Sequence, residues 1–192
     1  AGWQIVAEHD LVAAGVECRW RDAKFSYYHA KLMVIDDAHA LVSTGNYSKS
    51  FSVDKERNYV AQISDPDDVA DLAALFDADW AGEPMDLKST RLIVSPLNAK
   101  PRLLALIDSA ETTLDIESMQ FAETDVRKHV LARKAAGVNV RVLLAAPSWI
   151  KANAEAAKLL SDNGIPARFM ASPGVHVKSM IIDGVRAYIG SE

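Results

Sequence analysis

The sequence predicts an α/β protein of two pseudo-symmetric lobes, each an α/β/α sandwich with a mixed sheet, of which the first lobe is incomplete. Three observations support this prediction. A short pattern of His, Lys and Asp occurs twice, helix-length segments alternate with strand-length segments, and 49% of the 192 residues are hydrophobic. Such alternation is typical of helices packed over a largely buried sheet. We expect the lobes to comprise residues 1–88 and 89–192.

The first half contains fewer predicted elements than the second. In order they are a helical stretch through Ala14 followed by Gly15, a strand at 16–21, the strand of the first pattern, a strand at 58–63, a helix at 66–80 and a turn-rich linker at 81–89. The part up to residue 21 matches 153–170 of the second half. Nothing in the first half matches 91–146, so the first lobe is predicted to be incomplete.

The second half alternates regularly between strands and helices. Its predicted elements are a buried strand at 91–95, a helix at 101–110, a strand at 112–121, a helix at 125–136 closed by Gly137, a strand at 138–146, a helix at 153–162, a strand at 165–170, the strand of the second pattern and its partner at 186–190. We expect missing elements before residue 1 and after residue 192, since the alternative, a naturally minimal protein, leaves open sheet edges.

The repeated pattern is His-x-Lys-x-x-x-x-Asp. The first copy comprises His29, Lys31 and Asp36, and the second comprises His176, Lys178 and Asp183. The copies lie 147 residues apart, and apolar residues around them match at the same offset. The pair therefore forms an internal repeat whose units have the size of a small domain.

The residue types of this pattern suit phosphodiester chemistry. Residues two apart on a strand point to the same face, so His29 and Lys31 project together, as do His176 and Lys178. The ammonium neutralises an anion that would repel a nucleophile, and a neutral imidazole can attack phosphorus. The Asp of each copy lies an odd number of positions further on, so a turn or bulge must precede it.

The doubled pattern resembles the HKD motif of the phospholipase D superfamily, in which six residues and then Gly-Ser-x-Asn follow the Asp. After the first Asp the corresponding residues 43–46 read STGN, so the small pair is replaced and Asn46 is in place. After the second Asp they read Gly190, Ser191 and Glu192, and the sequence ends where the Asn would stand. The resemblance covers most of the chain and leaves the substrate open.

The resemblance implies a covalent mechanism with assigned residues. His29 would be the nucleophile that forms a phosphohistidine, and His176 would protonate the leaving alcohol and then activate water or an acceptor alcohol. The near-symmetric sequence itself does not choose between the two histidines. The implied phosphate-binding residues are Lys31, Asn46, Lys178 and Ser191. The implied orienting residues are Asp36 and Asp183, with Glu56 as the candidate acidic residue that holds a histidine.

Other residues have simpler interpretations. His9, His39 and His129 have no partner at a useful spacing and are read as structural. Trp149 follows the predicted strand 138–146 at its carboxyl end, where α/β proteins place ligand-binding loops. Trp149 and the adjacent Ile150 are predicted either to contact an acyl chain or a membrane surface, or to pack within their own loop.

Composition argues against several other classes. The net charge is −5 and no run is rich in Lys or Arg, so the chain has no evident nucleic-acid footprint. No apolar stretch approaches the roughly 20 residues that cross a bilayer. Neither metal-ligand spacing nor a Gly-rich phosphate loop occurs, so we predict no cofactor. The resemblance likewise implies a metal-independent mechanism.

Three functions stay open at this point. The leading hypothesis, implied by the resemblance, is a phosphodiesterase or phosphatidyltransferase acting on phospholipid, like bacterial phospholipase D and cardiolipin-synthase-like proteins. The alternatives are a superfamily nuclease acting on DNA or RNA, and an inactive fragment that binds anions. The expected partner is a phospholipid, met at a membrane surface, more than a nucleic acid, and no obligate protein partner is implied. The compartment is open between membrane-associated and secreted or periplasmic.

Overall fold

A computed structural model describes residues 2–20, 27–47, 55–88 and 90–191. The helices are α1 (Gly2–Ala13), α2 (Pro66–Ala81), α3 (Ala99–Asp108), α4 (Thr124–Ala135) and α5 (Ala152–Asp162). The strands are β1 (Leu32–Ile35), β2 (His39–Ser43), β3 (Glu56–Arg57), β4 (Val60–Ile63), β5 (Thr113–Ser118), β6 (Asn139–Ala145), β7 (Ala167–Met170), β8 (Gly174–Val175), β9 (Lys178–Ile182) and β10 (Arg186–Ile189). Three residues of the sequence predictions, Arg21, Ser89 and Glu192, lie outside the described residues.

A mixed five-stranded sheet in the order β10-β9-β5-β6-β7 organises the second half. β5, β6 and β7 are parallel, and β9 runs antiparallel to both β5 and β10. The parallel strands are joined through α4 and α5, because parallel neighbours need a crossover connection. One apolar cluster packs the helices on the sheet, and its fully buried members include Ile107, Leu114, Val130, Val140 and Leu160. The predicted α/β class with mixed sheets is confirmed.

The first half forms a smaller antiparallel sheet in the order β1-β2-β4, with α2 packed on it. Val69 and Leu72 of α2 contact Ala40 of β2 in a buried cluster. Asp65 caps the start of α2, since its carboxylate accepts the backbone N–H groups of residues 67 and 68 at 3.1 and 3.2 Å. Gly82 ends the helix in the left-handed conformation, with φ of 76°. The helix predicted at 66–80 is thus confirmed.

The two copies of the repeat adopt the same hairpin. In the first copy the N–H of Ser43 donates to the carbonyl of Lys31 at 3.0 Å, and in the second the N–H of Gly190 donates to Lys178 at 3.1 Å. The donors and the acceptors are each 147 residues apart. β1 pairs with β2 in the register that β9 makes with β10. The sequence repeat is therefore also a structural repeat.

A tight turn ends each motif strand, as the position of the Asp predicted. Asp36 and Asp37 have φ of 53° and 49°, and Asp183 and Gly184 have φ of 54° and 68°. Positive φ at both central residues is the requirement of a type I′ hairpin turn, which favours Asp and Gly. The motif Asp is thus the residue at which each strand turns back.

The strand predicted at 91–95 is wrong, because this segment is irregular. Its backbone N–H and C=O groups form hydrogen bonds with side chains instead of with a neighbouring strand. The guanidinium of Arg102 donates to the carbonyls of Thr90 and Leu92 at 2.7 and 2.9 Å. The amide oxygen of Asn98 accepts a backbone N–H of the segment at 2.7 Å. Apolar sequence alone does not reveal such partners, which satisfy buried peptide groups as well as a sheet does.

The strand predicted at 16–21 is also wrong over its described part, residues 16–20. Its counterpart in the second half, β7, pairs with β6. The first half has no sequence match for β6, so no strand among the described residues pairs with this segment. Val16 and Trp20 are accordingly exposed, by 47% and 58%.

Among the helices of the described segments, none is both long enough and apolar enough to cross a membrane.

A candidate active site between the two motif strands

A short parallel pair, β3 with β8, joins the two halves. Glu56 lies opposite Gly174 and Arg57 opposite Val175. The backbone N–H of His176 then donates to the carbonyl of Arg57 at 3.1 Å. This pairing places the histidine of the second copy beside the segment that follows the first copy.

Each motif lysine folds back onto the backbone of its own histidine. The Nζ of Lys31 donates to the carbonyl of His29 at 2.6 Å, and the Nζ of Lys178 donates to that of His176 at 3.1 Å. Lys31 is only 7% exposed, and its Nζ also lies 2.9 Å from Nδ1 of His29. Burial of an ammonium is costly without partners, so these contacts stabilise both lysines where they lie.

Residues of both halves line one cavity of about 420 Å³. Its lining consists of Tyr27 and His29 from the first half and Met119, Gln120, Ala122, Glu123, Lys178 and Ser191 from the second. His176 does not line this cavity, but the Nζ of Lys178, which does, donates to the carbonyl of His176 at 3.1 Å. The structure therefore brings together five of the predicted site residues, namely His29, Lys31, His176, Lys178 and Ser191.

His176 is held through an amide that the sequence reading missed. Its Nδ1 lies 3.0 Å from Oδ1 of Asn58, and the Nδ2 of Asn58 donates to the carboxylate of Glu56 at 3.3 Å. Partial burial lowers the pKa of His176 below 6.5, and the charge of Lys178 lowers it further, whereas Glu56 opposes the shift. These surroundings favour the neutral form of His176. Asn58 lies two positions after Glu56, a spacing that puts both on one face of an extended segment.

An aromatic ring covers the imidazole of His176. Trp149 stacks on it, with 6.2 Å between ring centroids and 24° between the planes. The indole packs closely on Gly174, since a Cβ there would lie 3.1 Å from Cζ3 of Trp149. Trp149 remains 44% exposed. The sequence predicted that Trp149 contacts a ligand or packs within its own loop. Its contact with His176 was not predicted.

The motif aspartates lie away from this cavity, in the turns at the far ends of their strands. Asp183 is five residues from Lys178, which is about 16 Å along a strand. Its carboxylate accepts the N–H groups of residues 111–113 at 2.8 to 3.2 Å and the hydroxyl of Thr112 at 2.9 Å. These bonds, led by that of Thr113, hold the pKa of Asp183 well below its usual range. Asp183 thus fixes the start of β5.

Asn46 is exposed just after β2 and is not among the residues that line the cavity.

A second contact between the two halves was not predicted from the sequence. The hydroxyl of Tyr59 donates to the carboxylate of Glu117 at 2.7 Å, across the two halves. Burial and then this carboxylate raise the pKa of Tyr59. Within the described ranges, no three His, Cys, Asp or Glu residues group as a metal site requires.

The family model described as "Cardiolipin synthase, PLD-like domain" matches residues 6–80 and 103–192. These two matched ranges make up most of the chain and include both copies of the repeat. The chain belongs to the phospholipase D superfamily. This membership confirms what the doubled motif indicated.

Two solved structures are similar to the chain. Nuc from Salmonella typhimurium, described as a phospholipase D family member, is 29% identical over 50% of this chain and 66% of its own, with a TM-score of 0.46. Polyphosphate kinase from Porphyromonas gingivalis is 16% identical over 97% of this chain and 33% of its own, with a TM-score of 0.71, and shares the fold. The chain spans about two thirds of the first and one third of the second. No curated protein matches significantly.

Proposed function

We propose that the chain carries the active site of a phospholipase D-like phosphodiesterase or phosphatidyltransferase, which cleaves phospholipid phosphodiester bonds through a covalent phosphohistidine. One observation carries the proposal: His29 of the first copy and Lys178 of the second line the same cavity. Membership of the phospholipase D superfamily supports phosphodiester chemistry at this place.

In the proposed reaction the phosphate binds between the two His–Lys pairs. Lys31 and Lys178 neutralise its oxygens, and Ser191, which lines the cavity, is a further ligand. The phosphate-binding role that the resemblance implies for Asn46 stays a prediction. One imidazole attacks phosphorus, so that a P–N bond forms and the P–O bond to the alcohol breaks. The other imidazole gives its proton to the leaving oxygen. It then takes a proton from water or an acceptor alcohol, which displaces the first imidazole. Attack by a histidine requires no metal ion.

The remaining predicted site residues act indirectly in this proposal. Asp36 and Asp183 position the motif strands from the turns, and the charge of Glu56 reaches His176 through Asn58. These residues would therefore support the geometry of the site without contacting the substrate.

An apolar cavity favours phospholipid over polynucleotide. It has about 310 Å³, at the lower end of the range of ligand pockets, and its apolar lining includes Leu103, Ile107, Ile116, Val126 and Met180. Four residues line both this cavity and the motif cavity, namely Gln120, Ala122, Glu123 and Lys178. A hydrocarbon chain attached to the bound phosphate fits this mainly aliphatic lining, whereas a nucleobase would leave its hydrogen-bonding edges without polar partners there. The partner would be a lipid presented at a membrane surface.

The proposal is tested with labelled phosphatidylcholine, phosphatidylglycerol and single-stranded DNA, each in excess chelator with and without glycerol. We expect headgroup release from lipid, loss of that release in His29→Ala and His176→Ala, and normal activity in the control His39→Ala, which alters an exposed hairpin residue. Glycerol distinguishes transfer from hydrolysis. Cleavage of DNA alone would make the protein a nuclease, and a strict divalent-metal requirement or activity in both motif variants would refute the mechanism.

A further inference from the structure

The loop that carries Trp149 is anchored at both of its ends. It follows β6, and the N–H groups of Trp149 and Ile150 both donate to the carbonyl of Ala146, at 2.9 and 3.0 Å. At the other end the N–H of Asn153 donates to the carbonyl of Ile150 at 3.0 Å, and the fully buried amide of Asn153 donates to the carbonyl of Ala145 at 2.9 Å. The position of the indole is therefore set by backbone that the core holds in place.

The indole packs on a segment that is itself held by the first half of the chain. The N–H of Gly174 donates to the carbonyl of Lys55 at 2.8 Å, and the N–H of His176 donates to that of Arg57 at 3.1 Å. The indole packs closely on Gly174 and stacks on the imidazole of His176, with 6.2 Å between ring centroids, which is within the range of offset aromatic pairs. Both sides of the contact are therefore held by backbone hydrogen bonds.

The imidazole of His176 is thereby held at one edge and on one face. Its Nδ1 lies 3.0 Å from Oδ1 of Asn58, and the indole lies at 24° to the ring plane, which restricts rotation of the ring about its bond to Cβ. Because Nδ1 is occupied by the contact with Asn58, Nε2 is the nitrogen that remains for a substrate. Attack on phosphorus and proton transfer both depend on the direction in which Nε2 points, so the orientation of the ring matters for either role.

We propose that Trp149 is a positioning residue, whose indole fixes the orientation of the His176 imidazole and shields one face of it from water. The inference rests on the proposed phosphodiesterase function, and it holds whichever of the two motif histidines is the nucleophile. It differs from the roles that the sequence predicted for Trp149, which were contact with an acyl chain or a membrane surface and packing within its own loop. Because Trp149 acts through His176, its removal should alter the rate of the reaction and not the binding of lipid.

The surroundings of His176 give this role a measurable signature. Partial burial is the first cause of its lowered pKa, and Trp149 contributes apolar surface directly over the ring. Four charged groups act on the same pKa, which is lowered by Lys178, Lys31 and His29 and raised by Glu56. Because none of these charges belongs to the indole, water that replaces the indole should raise the pKa of His176 towards 6.5.

The first experiment needs no turnover. A proton NMR titration of the His176 ring, assigned with His176→Ala, compares the unaltered protein with Trp149→Ala and Trp149→Phe. We expect the pKa of His176 to rise in Trp149→Ala, with loss of the ring-current shift of a stacked indole, and to stay near its original value in Trp149→Phe. Phe169→Ala is the matched control, because Phe169 is 45% exposed, against 44% for Trp149, and lines neither cavity. An unchanged pKa in Trp149→Ala would overturn the inference, whether or not the protein cleaves any lipid.

The second experiment separates kcat from KM on a short-chain phosphatidylcholine below its micelle concentration. We expect Trp149→Ala to lose roughly 10- to 100-fold in kcat, because a misplaced catalytic group is costly, with KM within about twofold of its original value. Trp149→Phe should restore most of the rate, since a phenyl ring can still stack on the imidazole. A loss confined to KM, or one seen only on lipid vesicles, would show that Trp149 contacts lipid instead and would refute the inference.

The pH dependence of kcat/KM links the two measurements, because it reports the pKa values of the free enzyme. The limb that follows His176 should move to higher pH in Trp149→Ala by the amount of the NMR shift, and Phe169→Ala should leave both the profile and the rate unchanged. A profile that stays in place in Trp149→Ala although the NMR pKa rises would contradict a role in the reaction. Absence of cleavage by the unaltered protein would instead be a failure of the proposed function, and the NMR titration would still decide whether the indole acts on His176.

Discussion

Filling the apolar cavity with Leu103→Trp should remove the dependence of the rate on chain length. Leu103 lies on α3 and lines this cavity but not the motif cavity. The 310 Å³ would hold roughly ten methylene groups, if each needs about the 30 Å³ of a liquid water molecule. Each methylene that enters should raise kcat/KM about fourfold, the equivalent of about 0.8 kcal/mol. The rise should stop once the cavity is full.

The assay measures kcat/KM for phosphatidylcholines of increasing acyl length below their micelle concentrations, together with bis-p-nitrophenyl phosphate, which has no chain. We expect a steep rise and a plateau in the unaltered protein, a flat profile in Leu103→Trp, and equal rates on the chainless substrate. Ala154→Trp, at an exposed position of α5, is the control for an added indole, and thermal unfolding checks the fold of both variants. A chain-length profile that Leu103→Trp leaves unchanged would refute the assignment of this cavity to hydrocarbon.

Three further predictions concern charge and stability. Lys178→Met should raise the pKa of His176 towards 6.5, because the charge of Lys178 lowers it, and a proton NMR titration of the ring measures this; an unchanged or lower pKa would contradict the geometry. Asp183→Asn should lower the melting temperature above about pH 4 and less below it, since a carboxyl whose pKa is lower in the folded state stabilises above its unfolded pKa and loses that effect as pH falls. Asp36→Asn is the control, because the carboxylate of Asp36 makes no such bonds with the described residues, and equal effects of the two variants would exclude the proposed cause. Asn153→Leu should cost about 3 kcal/mol in urea unfolding, because the fully buried amide of Asn153 makes three hydrogen bonds of 2.8 to 3.1 Å; a loss below about 1 kcal/mol would count against that network.

The helices and most strands were predicted correctly, whereas two apolar segments were wrongly predicted as strands. The helix predicted at 66–80 has its cap, its proline and its closing glycine within its own segment. The apolar run 91–95 resembles a strand in sequence, yet its backbone groups bond to the side chains of Arg102 in α3 and of Asn98 just before α3. A strand at 16–20 would need a neighbour, and none lies beside it in the described part of the chain.

The candidate site was likewise predicted only in part from the sequence. Alternation along a strand explains why each His and Lys act together, and it explains the turn that follows each strand. The aspartates were expected to orient the site, a role that stays a prediction, and the structure places them in turns. The contacts of Asn58 and Trp149 with His176 could not be predicted from the sequence, because these residues lie 118 and 27 positions away from it.

The sequence by itself determined that two copies of one hairpin exist, that each offers an imidazole and an ammonium side by side, and that the chain belongs among phospholipase D-like proteins. These properties follow from short-range periodicity and from the repeat. Only the tertiary structure decided what holds His176, because β3 pairs with β8 and so brings Asn58 to its imidazole. The residues that contact this imidazole lie 27 and 118 positions away along the chain, so short-range periodicity could not reveal them.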